Sequence, residues 1–265
     1  MYSRIAAPFA FPLPSGMPAT TPTSSYPTRF HGIEIHDQAW CPSVIRTSVV
    51  DTLRRGWTLP MLPLAVRKHV APVYTLAPVL KSIVDKTTTA DSSSGSRRIV
   101  DLCSGMGGPM VEIARLLPDT TVSISDLYPH PAEWQALTKG VPNADYVERP
   151  VDACNVGASE EGLRTIMAAY HHFPPPLAEK VLHSAVRDGQ PIAVVELTDR
   201  SLAAMLTIVA LTVPLGILGG IQALFCGRFL EALLTPVNVA VLTIDGVTSC
   251  WRTYTVAELK ALAAV

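Results

Sequence analysis

The chain has 265 residues, room for one large domain with appendages, and its 21 Lys+Arg against 22 Asp+Glu leave a formal net charge of −1. That balance supplies no basic field for nucleic acid and no acidic field for cations. The five cysteines (Cys41, Cys103, Cys154, Cys226, Cys250) show no C-x-x-C spacing, which argues against a disulfide framework or a zinc site and for a reducing compartment.

Residues 1–30 are rich in Pro, Ser, Thr and Ala and hold no acid, a composition that predicts disorder. Arg4 and Arg29 give a weak transit-peptide pattern, and Pro8 and Pro12 break any secretory apolar core over 5–13. His31 and His36 read as surface residues rather than ligands. Pro42 suits the first turn of a helix; Ile45, Val49, Val50 and Leu53 line one side, and Gly56 ends it. A second helix is predicted over Val73–Val84, kinked or shortened by Pro78. Residues 91–96 read as a flexible linker, so 31–96 form a helical cap and linker ahead of a core beginning at residue 97.

The stretch 98–112 reads strand, glycine loop, helix. Ile99–Leu102 is a short buried strand carrying Asp101. The chain breaks at Cys103-Ser-Gly-Met-Gly-Gly108, and apolar residues return at helical spacing from Val111 to Leu117. Gly105 and Gly107 leave bare backbone against which a ligand can lie, with the N–H groups of the next helix facing it. A dinucleotide fingerprint needs glycine at i, i+2 and i+5. The last of these positions is Met110, which breaks that match and argues against a nicotinamide-dependent oxidoreductase.

Further strands follow in order. Thr121–Ser125 alternates in polarity and ends at Asp126 and Leu127, twenty-five residues after Asp101. Asp126 reads either as a ligand carboxylate or as a helix cap before Pro129 and Pro131. Ala144–Val147 is a third strand, followed by Asp152-Ala153, which could equally form a surface turn. Leu163–Tyr170 is a fourth strand running into His171-His172-Phe173. Leu177–Val186 has helical spacing, Asp188-Gly189 is a turn, and Ile192–Leu197 is the fifth strand.

Over residues 98–200 this ordered set resembles class I S-adenosylmethionine (SAM) methyltransferases, closest to the fungal small-molecule type. The resemblance rests on the acid-ended first strand before DLCSGMGG, the acid ending the second strand, and the strand ending in His-His. It implies an α/β fold: a Rossmann-like methyltransferase sheet with flanking helices, here with an N-terminal helical appendage and an apolar insertion over 201–250. It implies SAM as cofactor, with Asp101, Ser104, Gly105, Gly107, Asp126, Leu127, Asp152, Ala153 and Tyr170 around it. Asp101 would attract its cationic groups, Asp126 its ribose hydroxyls, Leu127 the adenine ring and Asp152 the adenine amino group. The appendage would either cover the site or pack outside the sheet. His171 is the candidate general base, its alternative being to shape the pocket, and an imidazole near its ordinary pKa of ~6.5 suits that role.

The second unusual feature is Ser201–Gly227, where no charged residue occurs between Arg200 and Arg228. It passes the length threshold of ~18 residues for a membrane helix, although Pro214, Gly216, Gly219 and Gly220 are expected to interrupt it. It reads as a hairpin dipping into one leaflet, a span, an apolar wall around a greasy substrate, or a buried helix pair. Membrane-surface contact through 201–227 is favoured, which would place the chain in the cytoplasm, peripheral or monotopic at a membrane. Asp245-Gly246, between Val237–Ile244 and Val247–Thr253, is a hairpin signal. The same stretch also resembles the polar loop and helix after strand five of these enzymes. Thr255 can cap a helix over 256–264. Class I enzymes add two more strands, so either Val237–Thr253 supplies them or the sheet is short with an open edge.

The expected function is SAM-dependent methyl transfer to a small apolar acceptor, with an oxygen as the favoured atom. The alternative is a catalytically impaired, membrane-attached SAM-binding protein of the same fold. No metal and no nucleic-acid partner is implied.

Overall fold

The structure is a computed structural model that describes residues 28–60, 62–91, 97–157 and 159–264. The expected disordered tail up to residue 27, with its transit-peptide pattern, and the linker residues 92–96 lie outside the described residues. In chain order the elements are α1 (Ser43–Thr58), α2 (Leu64–Val70), α3 (Pro72–Asp91), β1 (Arg98–Leu102), α4 (Met110–Leu116), β2 (Thr121–Ile124), α5 (Pro131–Thr138) and β3 (Ala144–Tyr146). They continue with β4 (Leu163–Met167), a 3-10 turn (Tyr170–His172), α6 (Pro175–Arg187), β5 (Ile192–Val195), α7 (Leu202–Phe225), α8 (Phe229–Leu233), α9 (Thr235–Arg252) and α10 (Val256–Ala263). The chain divides into two compact units. One is Leu53–Leu197 with the C-terminal residues from Val256; the other joins residues 28–52 to Thr198–Thr255.

The first unit is the α/β domain. Its five strands are all parallel, in the order β3-β2-β1-β4-β5. This is a Rossmann-like sheet with β1 at its centre, as expected. Ile99 stands beside Val122 on one side and Leu163 on the other, and Asp101 beside Ile124 and Thr165. A strand covered on both faces needs apolar residues at nearly every position, which explains the unalternating run Ile99–Leu102. α4 packs on β2, α5 on β3, α3 on α4 and β4, and α6 on α10. The core joins Ile99, Val122, Ile124 and Leu163 to Met110 and Ile113 of α4, Trp134 of α5 and Leu80 of α3. α3 enters it through Val73, Ala77, Leu80 and Val84, one side of a helix at spacings of four, three and four. Pro78 lies within α3 without ending it. On β4, the fully buried Arg164 donates to Asp188 Oδ2 (2.8 Å), Gly157 O (2.9 Å) and Ser184 O (3.2 Å). One guanidinium thereby fastens the loop at 157 and the end of α6 to the central strands.

The second unit is helical. The hairpin expected at Asp245-Gly246 is instead the interior of α9. Its buried residues Asn238, Val241, Leu242, Asp245 and Arg252 fall at helical spacing, and tertiary contacts override the turn propensity. The Asp245 carboxylate accepts the backbone N–H groups of Ile35 (2.6 Å) and His36 (3.0 Å), while a Cβ on Gly246 would meet Ile208 of α7 at 2.5 Å. Val237–Thr253 therefore supplies no strands; among the described residues the sheet has five, with half-buried β5 at one edge. α7 runs unbroken from Leu202 to Phe225 through Pro214 and its glycines, contrary to the interruption expected there. Gly216 and Gly220 face Val239 and Thr235 of α9, so the missing side chains let two helices approach rather than ending one. The strap before α1 is bound to the same helix. Phe30 N–H donates to Trp251 O (3.0 Å), and Glu34 pairs with Arg252 (3.0 Å) and accepts from Ser249 (2.9 Å).

Candidate active site

In an open parallel sheet, ligands bind beyond the carboxyl ends of the strands where the strand order reverses. Here that point lies between β1 and β4. Among the described residues, two of the three non-glycine residues with positive φ follow these two strands: Cys103 (+61°) after β1 and Ala168 (+48°) after β4. Such backbone is costly and tends to persist where the surrounding structure over-determines it.

The glycine loop is tied to the end of β2. Ser104 N–H donates to Ser125 O (2.9 Å), and Ser125 N–H and Oγ–H both donate to Asp101 O. Gly105 N–H donates to Asp126 Oδ2 (2.8 Å), and Trp134 Nε1–H to Gly105 O (2.9 Å). The two first glycines do different work. Gly107 (φ +98°) is packed: a Cβ there would meet Leu137 Cδ1 at 2.5 Å. Gly105 (φ +50°) has nothing within 4 Å of its missing side chain, so its bare backbone faces open space.

Asp101, only 1% exposed, lies beneath this loop. Its two carboxylate oxygens accept from Ser104 Oγ (2.6 Å) and Thr165 Oγ1 (2.7 Å). Burial pushes its pKa up to about 7, against the opposing pull of those two hydroxyls; the nearby Asp126 charge pushes in the same direction as burial. Asp126 is the more open acid. Besides Gly105 it accepts from Tyr128 N–H (2.9 Å), and burial raises its pKa despite these bonds. It does not cap a helix, since α5 begins at Pro131 after His130. The thiol of Cys103 is pushed up by burial and by Asp126 and Asp101, which keeps it protonated.

Asp101, Ser104, Gly105, Gly107 and Asp126 are thus brought together. Val151 N–H donates to Asp126 O (2.9 Å), which sets the Asp152-Ala153 turn beside the end of β2. Asp152 is exposed, closing its own turn onto Cys154 N–H (2.9 Å), and Ala153 is buried. Leu127 is partly exposed beside Asp126. Tyr170 is buried, and its phenol donates to Ala178 O (2.7 Å), a bond that ties the turn to α6.

His171 is buried in the 3-10 turn after β4, its ring 4.4 Å from that of His172 between centroids. Glu196, just beyond β5, accepts the His171 backbone N–H (2.9 Å) and meets ring Nδ1 (2.8 Å). An ionised carboxylate can only accept, so Nδ1 carries a hydrogen towards Glu196, while Nε2 is buried on the other side of the ring. Sequence reasoning missed this role of Glu196. The signal was there: an acid at the end of a strand adjacent to the one that ends at the histidines.

In the helical unit, Glu34, His36 and Asp37 bring ligand-type atoms within 4.8 Å of one another. Glu34 is already committed to Arg252 and Ser249, and His36 Nδ1 to Asp245 (2.7 Å), so the group anchors the strap. His36 is accordingly not the surface residue expected. Its pKa is raised: burial lowers it, but the Asp245 bond and the charges of Asp37 and Glu34 outweigh that.

No protein-family model and no curated relative matches the chain. Among solved structures it is similar to the mitomycin 7-O-methyltransferase MmcR, at 14% identity and a TM-score of 0.36 over 66% of this chain and 56% of that one. It is also similar to PigF with S-adenosylhomocysteine (SAH), at 21% identity and a TM-score of 0.32 over 52% of this chain and 51% of that one. A third is the plantazolicin methyltransferase BpumL in complex with a triazolic desmethylPZN analog and SAH, at 16% identity and a TM-score of 0.43 over 82% of this chain and 74% of that one. The chain spans about half the length of the first two. Strand order and register, rather than these likenesses, define the fold of this chain.

Proposed function

We propose that the chain is a SAM-dependent methyltransferase of the small-molecule type, serving secondary metabolism by methylating an oxygen of a small apolar acceptor. The observation that carries this reading is the open, side-chain-free face of Gly105, with its N–H on the carboxylate that ends the neighbouring strand. A cationic nucleoside suits that surface, because Asp126, the more open of the two acids at adjacent strand ends, attracts positive charge, with Asp101 buried behind the loop. Ser104, Gly105 and Gly107 would form the cradle. Asp126 would take the ribose hydroxyls, Leu127 lie against the adenine, and Asp152 and Ala153 border its amino group. Tyr170 supports the site from below. SAM bound there supplies an electrophilic methyl group on a sulfonium.

For His171 to take the proton of the acceptor hydroxyl, its buried Nε2 must be uncovered as the acceptor enters; Glu196 then stabilises the imidazolium through Nδ1–H. SAM held in the cradle would supply the methyl group for displacement by that oxygen, with SAH as the product. Positioning supplies most of the acceleration in such a displacement. The exposed apolar helix α7 belongs to the same reading: it supports a protein held at a membrane surface, where apolar acceptors concentrate.

A second reading, a SAM-binding protein that has lost catalysis, is favoured by one observation: five strands among the described residues, with β5 at an edge. The test is incubation with methyl-labelled SAM and a panel of apolar phenols and carboxylic acids. Label recovered in organic extracts, and lost with His171→Ala, supports the enzyme. SAH binding without label transfer to any acceptor supports the second reading.

A further inference from the structure

α7 is 24 residues long, with a mean hydropathy of 2.2 over its most apolar window, and only 11% of that window is buried. A core helix of that composition would be buried, so the buried-pair reading of 201–227 fails. The helix rests on α9 through Thr212, Gly216 and Gly220, at spacings of four, and a Cβ on Gly219 would lie 3.1 Å from Thr52 Oγ1 of α1. Its exposed side chains occupy much of the remaining circumference. Leu206 (61% exposed) and Ile217 point one way, while Leu211 and Leu218 stand roughly a third of a turn away. A single partner helix covers one stripe, whereas a fluid apolar phase covers every side.

The polar groups of the helix pair favour lipid as that phase. Thr207 Oγ1 donates to Ala203 O (2.8 Å), Thr243 to Val239 O (2.8 Å) and Thr235 to Ala232 O (2.7 Å), and Thr212 bonds Thr243 across the pair (2.8 Å). Hydroxyls satisfied in this way need no water.

Both ends of α7 are held to polar parts of the same unit. At the start, Ser201 Oγ accepts from Ala204 N–H (3.1 Å), and Asp199 accepts from Ser201 N–H (2.6 Å). At the far end, Arg228 pairs with Glu231 (3.0 Å) and reaches Asp51 of α1 (3.7 Å). Asn238 of α9 donates to Ser48 of α1 (2.8 Å). A crossing would carry the charged groups of Arg228, Glu231 and Asp51 through the apolar layer to its far side, which the bilayer core opposes.

We propose that α7 lies in the plane of a single membrane leaflet, with its exposed apolar sides among the acyl chains and its Gly216–Gly220 side on α9. This rests on the membrane contact proposed above and decides between the hairpin, the span and the apolar wall left open by the sequence.

The full chain is mixed with phosphatidylcholine vesicles that contain a trapped, membrane-impermeant maleimide, and the vesicles are sedimented. Cys226, exposed at the end of α7, is the reporter, with Cys226→Ser as the blank. The expected result is sedimentation with the vesicles and no labelling of Cys226 from inside. Joint replacement Leu206→Glu and Ile217→Glu lowers the bound fraction about tenfold or more. Both positions are exposed, and unchanged circular dichroism shows that the variant folds. Labelling by the trapped reagent means that the helix crosses, which overturns the in-plane placement alone. Failure to sediment overturns the membrane contact itself, and a dimer by light scattering would then give this face to a second copy. SAH binding, measured separately, reports on the methyltransferase reading whichever result is obtained.

Discussion

Glu196 holds His171 twice, with one carboxylate oxygen on its backbone N–H and the other on its ring Nδ1. The double bond fixes both the place of the residue and its tautomer, as a carboxylate does for imidazoles that must present Nε2. His171→Ala is expected to lower kcat for a hydroxyl acceptor by about 10²- to 10⁴-fold. Glu196→Gln keeps the size but can stabilise the wrong tautomer, and should lower kcat in the same direction. SAH affinity should stay close to wild type in both. The loss should shrink for acceptors already ionised at the assay pH, a dependence that a merely structural histidine would not produce.

Gly105 and Gly107 should separate binding from stability. Gly105→Ala places a Cβ in open space at φ +50°, at a backbone cost of about 1–2 kcal/mol, and should weaken SAH binding about tenfold. Gly107→Ala drives a Cβ onto Leu137 Cδ1 and should destabilise by about 1–3 kcal/mol through overpacking, plus its own backbone strain. Titration calorimetry and urea unfolding of the two variants check the contrast.

Asp101 should make the α/β unit less stable as pH rises. Its folded pKa of about 7 lies above the ordinary aspartate value of 3.8, so between these values the folded state keeps a proton that the unfolded state releases. Stability then falls through that window and levels off above it, by an amount on the order of 4 kcal/mol for a shift of about three units. Asp101→Asn should remove that slope. Urea unfolding midpoints at pH 5 and pH 8 measure it, with the difference between wild type and variant isolating this group from the other titrating residues.

Arg164 and Asp188 form a buried pair in which losing one partner strands the other. Asp188→Ala is expected to cost about 3–5 kcal/mol in urea unfolding at neutral pH. The Asp188 carboxyl is held down to about 2, by Arg187 first, against burial, and then by Arg164. Its stabilisation is therefore complete above the ordinary aspartate range and lost as pH falls towards 2.

The sheet was legible because buried parallel strands are short apolar runs punctuated by turns, as Ile99–Leu102 and Ile192–Val195 are. The loop and its two acids were legible because Asp101, Gly105 and Asp126 keep a local order along the chain. What escaped depends on contacts distant in sequence. Glu196 meets His171 across 25 residues, and Asp245 meets Ile35 and His36 across more than 200. Arg164 lies in the strand read over Leu163–Tyr170, and nothing local announces its partner Asp188. Pro214 and Asp245-Gly246 carried local signals for breaks and turns, and packing between α7 and α9 overrode both. Gly216 and Gly220, read as helix breakers, proved to be the surface on which that packing rests.

Isothermal titration of the purified chain with SAH tests the cradle most directly. Saturable one-to-one binding, weakened about tenfold or more by Asp126→Ala, is the expected result. No heat with SAH or SAM, or equal binding by the Asp126→Ala variant, would contradict it.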